Sequence, residues 1–304
     1  MADWRIRLRR QRLRLLFLAT RVVMRVGGYG AARWLGPLLA AAQYRFSLLD
    51  RDRCLHDLAL LQQRAPGDPA VAHQLRNAYR INTIGVLEVL AMCDRRLDPA
   101  MLNTKLRVDG LERLEAARNG KGAILISTHS GNSLLLAVQL ASSGWPITIV
   151  YRHARMMSAE FFATGLPRYG IDGIMANEGI KAYAKMLSAL RQNRVVFAMV
   201  DQGVQATEDG VQMRFLGKNM PMPGGVVQLA RQTQAPIVPV VTLAAEPVWH
   251  FSVAAPLELE PGCTLEEDMQ IVLRDVEQQI MTHPELWSWH QRRWRNFPLA
   301  TKTS

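Results

Sequence analysis

One histidine stands where a general base would be useful. His129 lies in the run Leu125-Ile126-Ser127-Thr128-His129-Ser130-Gly131-Asn132-Ser133-Leu134. The apolar part reads as a buried strand, the polar triplet as a tight turn, and the next apolar run as a helix. A strand that hands over to a helix in this way delivers its last residues to the carboxyl edge of a sheet, where open α/β folds keep their sites. Neutral imidazole titrates near the operating pH and suits proton removal from an attacking hydroxyl. A histidine at a strand end also serves simply to satisfy local hydrogen bonds; the turn that follows favours chemistry.

Other side chains reach the same edge. Arg152 ends the next predicted strand, where a guanidinium can bind a phosphate, polarise a carbonyl, or close a rim salt bridge. Asp201 follows the apolar strand at 195–200 and is either part of the site or a turn cap. Gly224 and Gly225 follow Pro221-Met222-Pro223 and precede an apolar helix, so bare N–H groups there can face an anion or a carbonyl oxygen, or merely turn the chain. Met156, Met157, Met220 and Met222 suit an acyl channel, because thioether chains adapt to flexible tails, although such methionines are more often ordinary core. Cys54, Cys93 and Cys263 are odd in number and outside any C-x-x-C spacing. They support neither a disulfide framework nor a zinc site, and point to a reducing compartment.

The elements that must hold these residues change character near residue 105. Residues 45–103 read as helices, broken by Ala65-Pro66-Gly67-Asp68-Pro69. Beyond them, strands near 122–128, 146–151, 171–176, 194–200, 236–242 and 248–254 alternate with helices near 133–143, 156–166, 178–192, 224–233 and 264–282. Such alternation predicts an α/β fold, a mixed sheet covered by helices, with a helical segment in front. Residues 122–151 lack Asp, Glu, Lys and Arg. His129, the Ser-Gly-Asn turn and Pro146 nevertheless cut that stretch into pieces too short for a bilayer.

The chain has 304 residues and a formal charge of +11, from 37 Lys and Arg against 26 Asp and Glu. A partner of negative charge is expected: anionic lipid, an acidic carrier protein, or nucleic acid. Residues 1–25 hold Arg5, Arg7, Arg9, Arg10, Arg12, Arg14, Arg21 and Arg25 against Asp3 alone. On a helix, Arg10, Arg14, Arg21 and Arg25 form one stripe and Leu8, Leu15, Leu16, Ala19 and Val23 lie roughly opposite. That pattern fits adhesion to an anionic membrane surface, or packing on the protein's own body, rather than a span. With no aromatic platform, helix-turn-helix or zinc finger, nucleic acid is not the expected partner. No cleavage site follows a proper hydrophobic region, so a secretory signal is not expected.

Several segments together resemble the bacterial lipid A biosynthesis (Kdo2-lipid A) late acyltransferases, within the wider lysophospholipid acyltransferase superfamily. They are His129-Ser130-Gly131-Asn132, Tyr151-Arg152, Val200-Asp201-Gln202, Phe215-Leu216-Gly217 with Pro223-Gly224, Ala235-Pro236-Ile237-Val238-Pro239, and His283-Pro284-Glu285-Leu286-Trp287 with Arg292-Arg293-Trp294. They occur in the family's order over roughly residues 10–297. The resemblance implies a peripheral enzyme on the cytoplasmic face of a bacterial inner membrane. It would move a fatty acyl group from acyl carrier protein, or a coenzyme A thioester, to a hydroxyl on a lipid or glycolipid, with no bound cofactor. With the basic front and the change of pattern near residue 105, three parts are expected: a basic adhering helix at 1–25, a helical segment at 26–104 and the acyltransferase domain at 105–304. His129, Asp201 and Arg152 would be catalytic, and Gly131, Asn132, Gln202, Gly224 and Gly225 would bind substrate. The terminal Trp287, Trp289 and Trp294 with Arg292, Arg293 and Arg295 read as a docking helix with a basic rim.

One position departs from the pattern. The superfamily places Asp or Glu five residues after the histidine to fix its tautomer; here that residue is Leu134. An acid must come from elsewhere, Asp201 first, or His129 works unassisted. An active enzyme on a divergent acceptor, a lipid-binding partner without turnover, and a transferase of another carrier-bound acyl group all remain open at this level.

Overall fold

The computed structural model describes residues 2–65, 67–94, 97–152, 159–204, 210–291, 294 and 296–299. Its strands are β1 (Leu106–Asp109), β2 (Ala123–Ser127), β3 (Ile147–Tyr151), β4 (Asp172–Met175), β5 (Val195–Met199), β6 (Val211–Phe215), β7 (Lys218–Met222), β8 (Ile237–Ala244) and β9 (Trp249–Val253). Seven of them form one mixed sheet in the order β1-β9-β8-β2-β5-β3-β4, while β6 and β7 make a separate hairpin. Every pairing in the large sheet is parallel except β8 with β9. β2 is buried at each residue, and its side chains feed two layers: Ile124 and Ile126 join one core, Ala123 and Leu125 the other. Burial on both faces explains why it reads as a continuous apolar run rather than an alternating one.

The helices are α1 (Ala2–Phe46), α2 (Leu48–Leu61), α3 (Pro69–Asp94), α4 (Pro99–Leu102), α5 (Leu111–Arg118), α6 (Ser133–Ser142), α7 (Ala159–Gly165), α8 (Ile180–Arg191), α9 (Gly225–Thr233) and α10 (Leu265–Thr282). The expected mixed sheet, covering helices and helical front are therefore all present. Sequence patterning found every strand of the large sheet except β1, a four-residue edge strand with one buried side chain. It also gave no strands at β6 and β7, where Arg214, Asn219 and Pro221 interrupt the apolar pattern.

The front of the chain is one long helix with a kink, not a helix that stops at residue 25. α1 continues to Phe46 through Gly28, whose backbone (φ 63°, ψ −161°) is non-helical. Beyond the kink it lies closely on α3: a Cβ at Gly36 would come within 2.5 Å of Ile84. Met24, Ala32, Leu87 and Leu90 pack together in that interface. Arg21, expected in a free basic stripe, is paired with Asp94 of α3, its Nε donating at 2.7 and 2.9 Å. No described helix is long and apolar enough to cross a membrane. The side chains of the expected Arg10–Arg14 stripe lie outside the described residues.

Candidate active site

The register of two central strands brings His129 and Asp201 together. Ser127 of β2 pairs with Met199 of β5, and Val200 N–H continues the ladder to Ser127 O at 3.2 Å. His129 and Asp201 each follow two residues after those paired ends, so they emerge side by side at the carboxyl edge of the sheet. Asp201 Oδ1 accepts from His129 Nδ1 at 2.7 Å, and Asp201 Oδ2 accepts from the His129 backbone N–H at 2.8 Å. A third donor, Trp287 Nε1, reaches Oδ2 at 2.6 Å. Burial by itself raises the Asp201 carboxyl, but the His129 charge and these hydrogen bonds outweigh it and hold the group below the usual carboxylate range.

An ionised carboxylate only accepts, so Nδ1 carries the proton and Nε2 is the basic nitrogen. The imidazole side chain is 34% exposed while Asp201 is buried. Nε2 takes no hydrogen-bond partner among the described residues. The pair thus has the geometry of a general base oriented from behind, with the carboxylate in the role of the missing Leu134 acid. Leu134 itself packs against two apolar clusters on the first turn of α6.

The turn after His129 is held from both sides. Gly131 has φ 67°, and a Cβ there would meet the Trp249 ring at 2.1 Å, so both backbone conformation and space demand glycine. On the α3 side, a Cβ at Gly85 would stand 2.7 Å from Gly131 O. Asn132 is fully buried and caps α6: its Oδ1 accepts from Leu135 N at 3.1 Å and its Nδ2 donates to Glu88 Oε2 at 2.9 Å. Glu88 of α3 also accepts from Trp249 Nε1 at 2.7 Å and from Arg33 Nε of α1 at 2.9 Å. Burial pushes the Glu88 carboxyl up, despite Arg33 and the neutral donors.

The closing segment supports the turn from the other flank. Trp287 bridges Ser130 in antiparallel fashion, and Ser288 N–H donates to His129 O at 3.1 Å. Asn82 of α3 ties both parts, accepting from Ser288 Oγ at 2.6 Å and Gly131 N at 3.2 Å, and donating to Leu286 O at 2.9 Å. The expected docking helix is absent at residues 286–290: Pro284 ends the helical run after α10, and the chain proceeds as turns and a bridge. Trp287, Trp289 and Trp294 are buried against one another rather than set on a rim. Arg292, Arg293 and Arg295 lie outside the described residues, as do Met156 and Met157.

The remaining expected residues are spread along the same edge. Arg152 follows the end of β3 and is half-buried; Gln202, next to Asp201, is half-buried as well. Gly224 caps α9, where a Cβ would approach Met269 and Leu265 of α10 at 3.3 and 3.5 Å. Gly225 has open space around its Cβ position. Met220 and Met222 are buried in the core. Sequence reading overlooked Glu88, Asn82 and Trp249. For Glu88 a signal existed, since helical spacing sets it on the face of Ile81, Ile84 and Met92, which is buried.

The family model described as bacterial lipid A biosynthesis acyltransferase matches residues 5–296. Curated relatives are phosphatidylinositol mannoside acyltransferases. One from Mycobacterium tuberculosis is 28% identical over 222 residues, covering 72% of this chain and 66% of that protein. One from Mycolicibacterium smegmatis is 27% identical over 201 residues, covering 65% of each. The chain thus spans slightly under two thirds of the length of these relatives.

Proposed function

The chain belongs to the bacterial lipid A biosynthesis acyltransferase family, and from that premise we propose that it transfers a fatty acyl group from a thioester to a lipid or glycolipid hydroxyl. The donor is an acyl carrier protein or coenzyme A thioester. His129 is the general base, and Asp201 orients it. The observation that carries this reading is the 2.7 Å bond from His129 Nδ1 to Asp201, which leaves Nε2 open at the strand edge. The acceptor hydroxyl gives its proton to Nε2 as its oxygen bonds to the thioester carbonyl carbon. The tetrahedral adduct then collapses, the C–S bond breaks, and the departing thiolate takes the proton back from the imidazolium. Asp201 stabilises that imidazolium, and Arg152 at the same edge is assigned to the oxyanion or to a phosphate. Because Asp201 supplies the carboxylate, Leu134 no longer favours a lipid-binding protein without turnover.

The relatives' acceptor, a mannosylated phosphoinositide by their name, supports a sugar hydroxyl on an anionic lipid as the acceptor class. Adhesion to the membrane surface that offers such a lipid is supported by the outer side of α1 and α2. There Val26 is 81%, Trp34 71% and Leu49 89% exposed, beside a basic N-terminal sequence. The test is lipid mass spectrometry on cells expressing the intact chain or His129→Ala at matched levels. An acylated lipid made only with the intact chain is the expected result and names the acceptor. Identical lipid profiles, with both proteins folded, would end the reading.

A further inference from the structure

We propose that Trp287 is a positioning residue of this reaction, its indole N–H holding the Asp201 carboxylate in line with His129. The inference rests on the proposed role of the His129–Asp201 pair and goes beyond it. Oδ2 receives two donors from different parts of the chain, His129 N–H at 2.8 Å and Trp287 Nε1 at 2.6 Å. Together they fix the carboxylate plane so that Oδ1 meets Nδ1. Without the indole, one backbone donor remains and the carboxylate can turn about its Cβ–Cγ bond.

The neighbouring tryptophan shows what packing alone requires. Trp289 lies in the same buried cluster, 4.7 Å from Trp287 between ring centroids, yet it sends its N–H to Pro284 O at 2.6 Å. A buried indole needs an acceptor, and a backbone carbonyl suffices. Trp287 uses the one carboxylate that touches the base. Its segment also holds the His129 carbonyl through Ser288 N–H, so base and acid are referred to one short stretch of backbone.

The donors on Asp201 come from His129 at the β2 edge and from the neutral indole of Trp287. Removing the indole N–H leaves Oδ2 with the His129 backbone donor alone, so the carboxylate plane is no longer fixed. The bond from His129 Nδ1–H to Oδ1 should therefore loosen. The experiment is histidine-labelled NMR of the full chain as wild type, Trp287→Phe and Trp289→Phe, reading the hydrogen-bonded Nδ1–H resonance of His129, with acylated-lipid production compared in the expressing cells. Phe keeps a ring in the cluster and deletes only the N–H and part of the indole.

Trp287→Phe is expected to move the hydrogen-bonded His129 Nδ1–H resonance upfield or abolish it, and to lower the acylation rate about tenfold, the cost of one charge-assisted hydrogen bond. Trp289→Phe should leave that resonance in place. If Phe at 287 prevents folding, benzothienylalanine, which has sulfur in place of N–H in the same outline, replaces it. A His129 Nδ1–H resonance that matches that of Trp289→Phe overturns the inference, as does an equal acylation rate in the two variants. Full activity of His129→Ala overturns the reading of the site itself, which separates the two failures.

Discussion

Asp201 and Glu88 are both buried carboxylates, each accepts three donors, and they stand on opposite flanks of the same turn, yet their acidities move in opposite directions. Asp201 is held down; Glu88 is pushed up. Donor number is therefore not what separates them. The group facing Asp201 is the His129 imidazole at 2.7 Å, reinforced by a backbone N–H and an indole. The charge facing Glu88 is Arg33, 30% exposed and shared with Ala245 O, and its neutral donors do not recover what burial removes. One carboxylate keeps its charge beside the His129 imidazole. The other ties α1, α3, Trp249 and the cap of α6 into one unit.

Asp201→Asn should break the first arrangement most severely. The amide cannot stabilise an imidazolium, and the acylation rate is expected to fall by about 10²–10⁴. A rate within threefold of wild type would mean that the pair is structural. Next in size is Glu88→Ala, which strands Arg33, Asn132 Nδ2 and Trp249 Nε1. Denaturant unfolding should show a loss of about 3 kcal/mol, the low end for a broken buried pair because Arg33 reaches solvent.

The two acidities also set the sign of stability against pH. Native Asp201 binds its proton less tightly than the unfolded chain does, so its contribution is present above about pH 4 and lost as pH falls through its native value. Native Glu88 binds its proton more tightly, so its contribution declines as pH rises from about 4 toward its native value. Glu88→Gln should remove that decline in unfolding measured across pH and leave the acid-side loss. The smallest effect is expected from Leu134→Glu. Asp201 already occupies Nδ1, so an acid at the superfamily position should give no rise in rate and cost about 1–2 kcal/mol for a polar group placed against apolar neighbours. A clear gain in rate would show that His129 lacked an orienting acid.

Much of this was legible because β2 and β5 are buried on both faces and the turn after His129 has a distinctive composition. His129 and Asp201 could each be assigned to a strand end, but their adjacency depends on strand order, which a β2-β5 neighbour pair 72 residues apart does not announce. Glu88 was hidden differently. A single acid in an apolar helix reads as a helix residue until its neighbours on other elements are known. Trp287 was misjudged because three tryptophans near arginines suggested a helical face, while Pro284 had already stopped the helix. The hairpin of β6 and β7 carries too many polar residues for alternation to show.

The spacing of the pair and its indole has a consequence for a chain still being made. The acid is added 72 residues after the base, and the indole 86 residues after the acid. At about 5–20 residues per second the last of the three follows the first by roughly 8–30 seconds. During that interval α1 and α3 are already synthesised, while His129 has no complete partner set. A chain interrupted within α10 thus carries His129 and Asp201 without the indole that donates to the carboxylate.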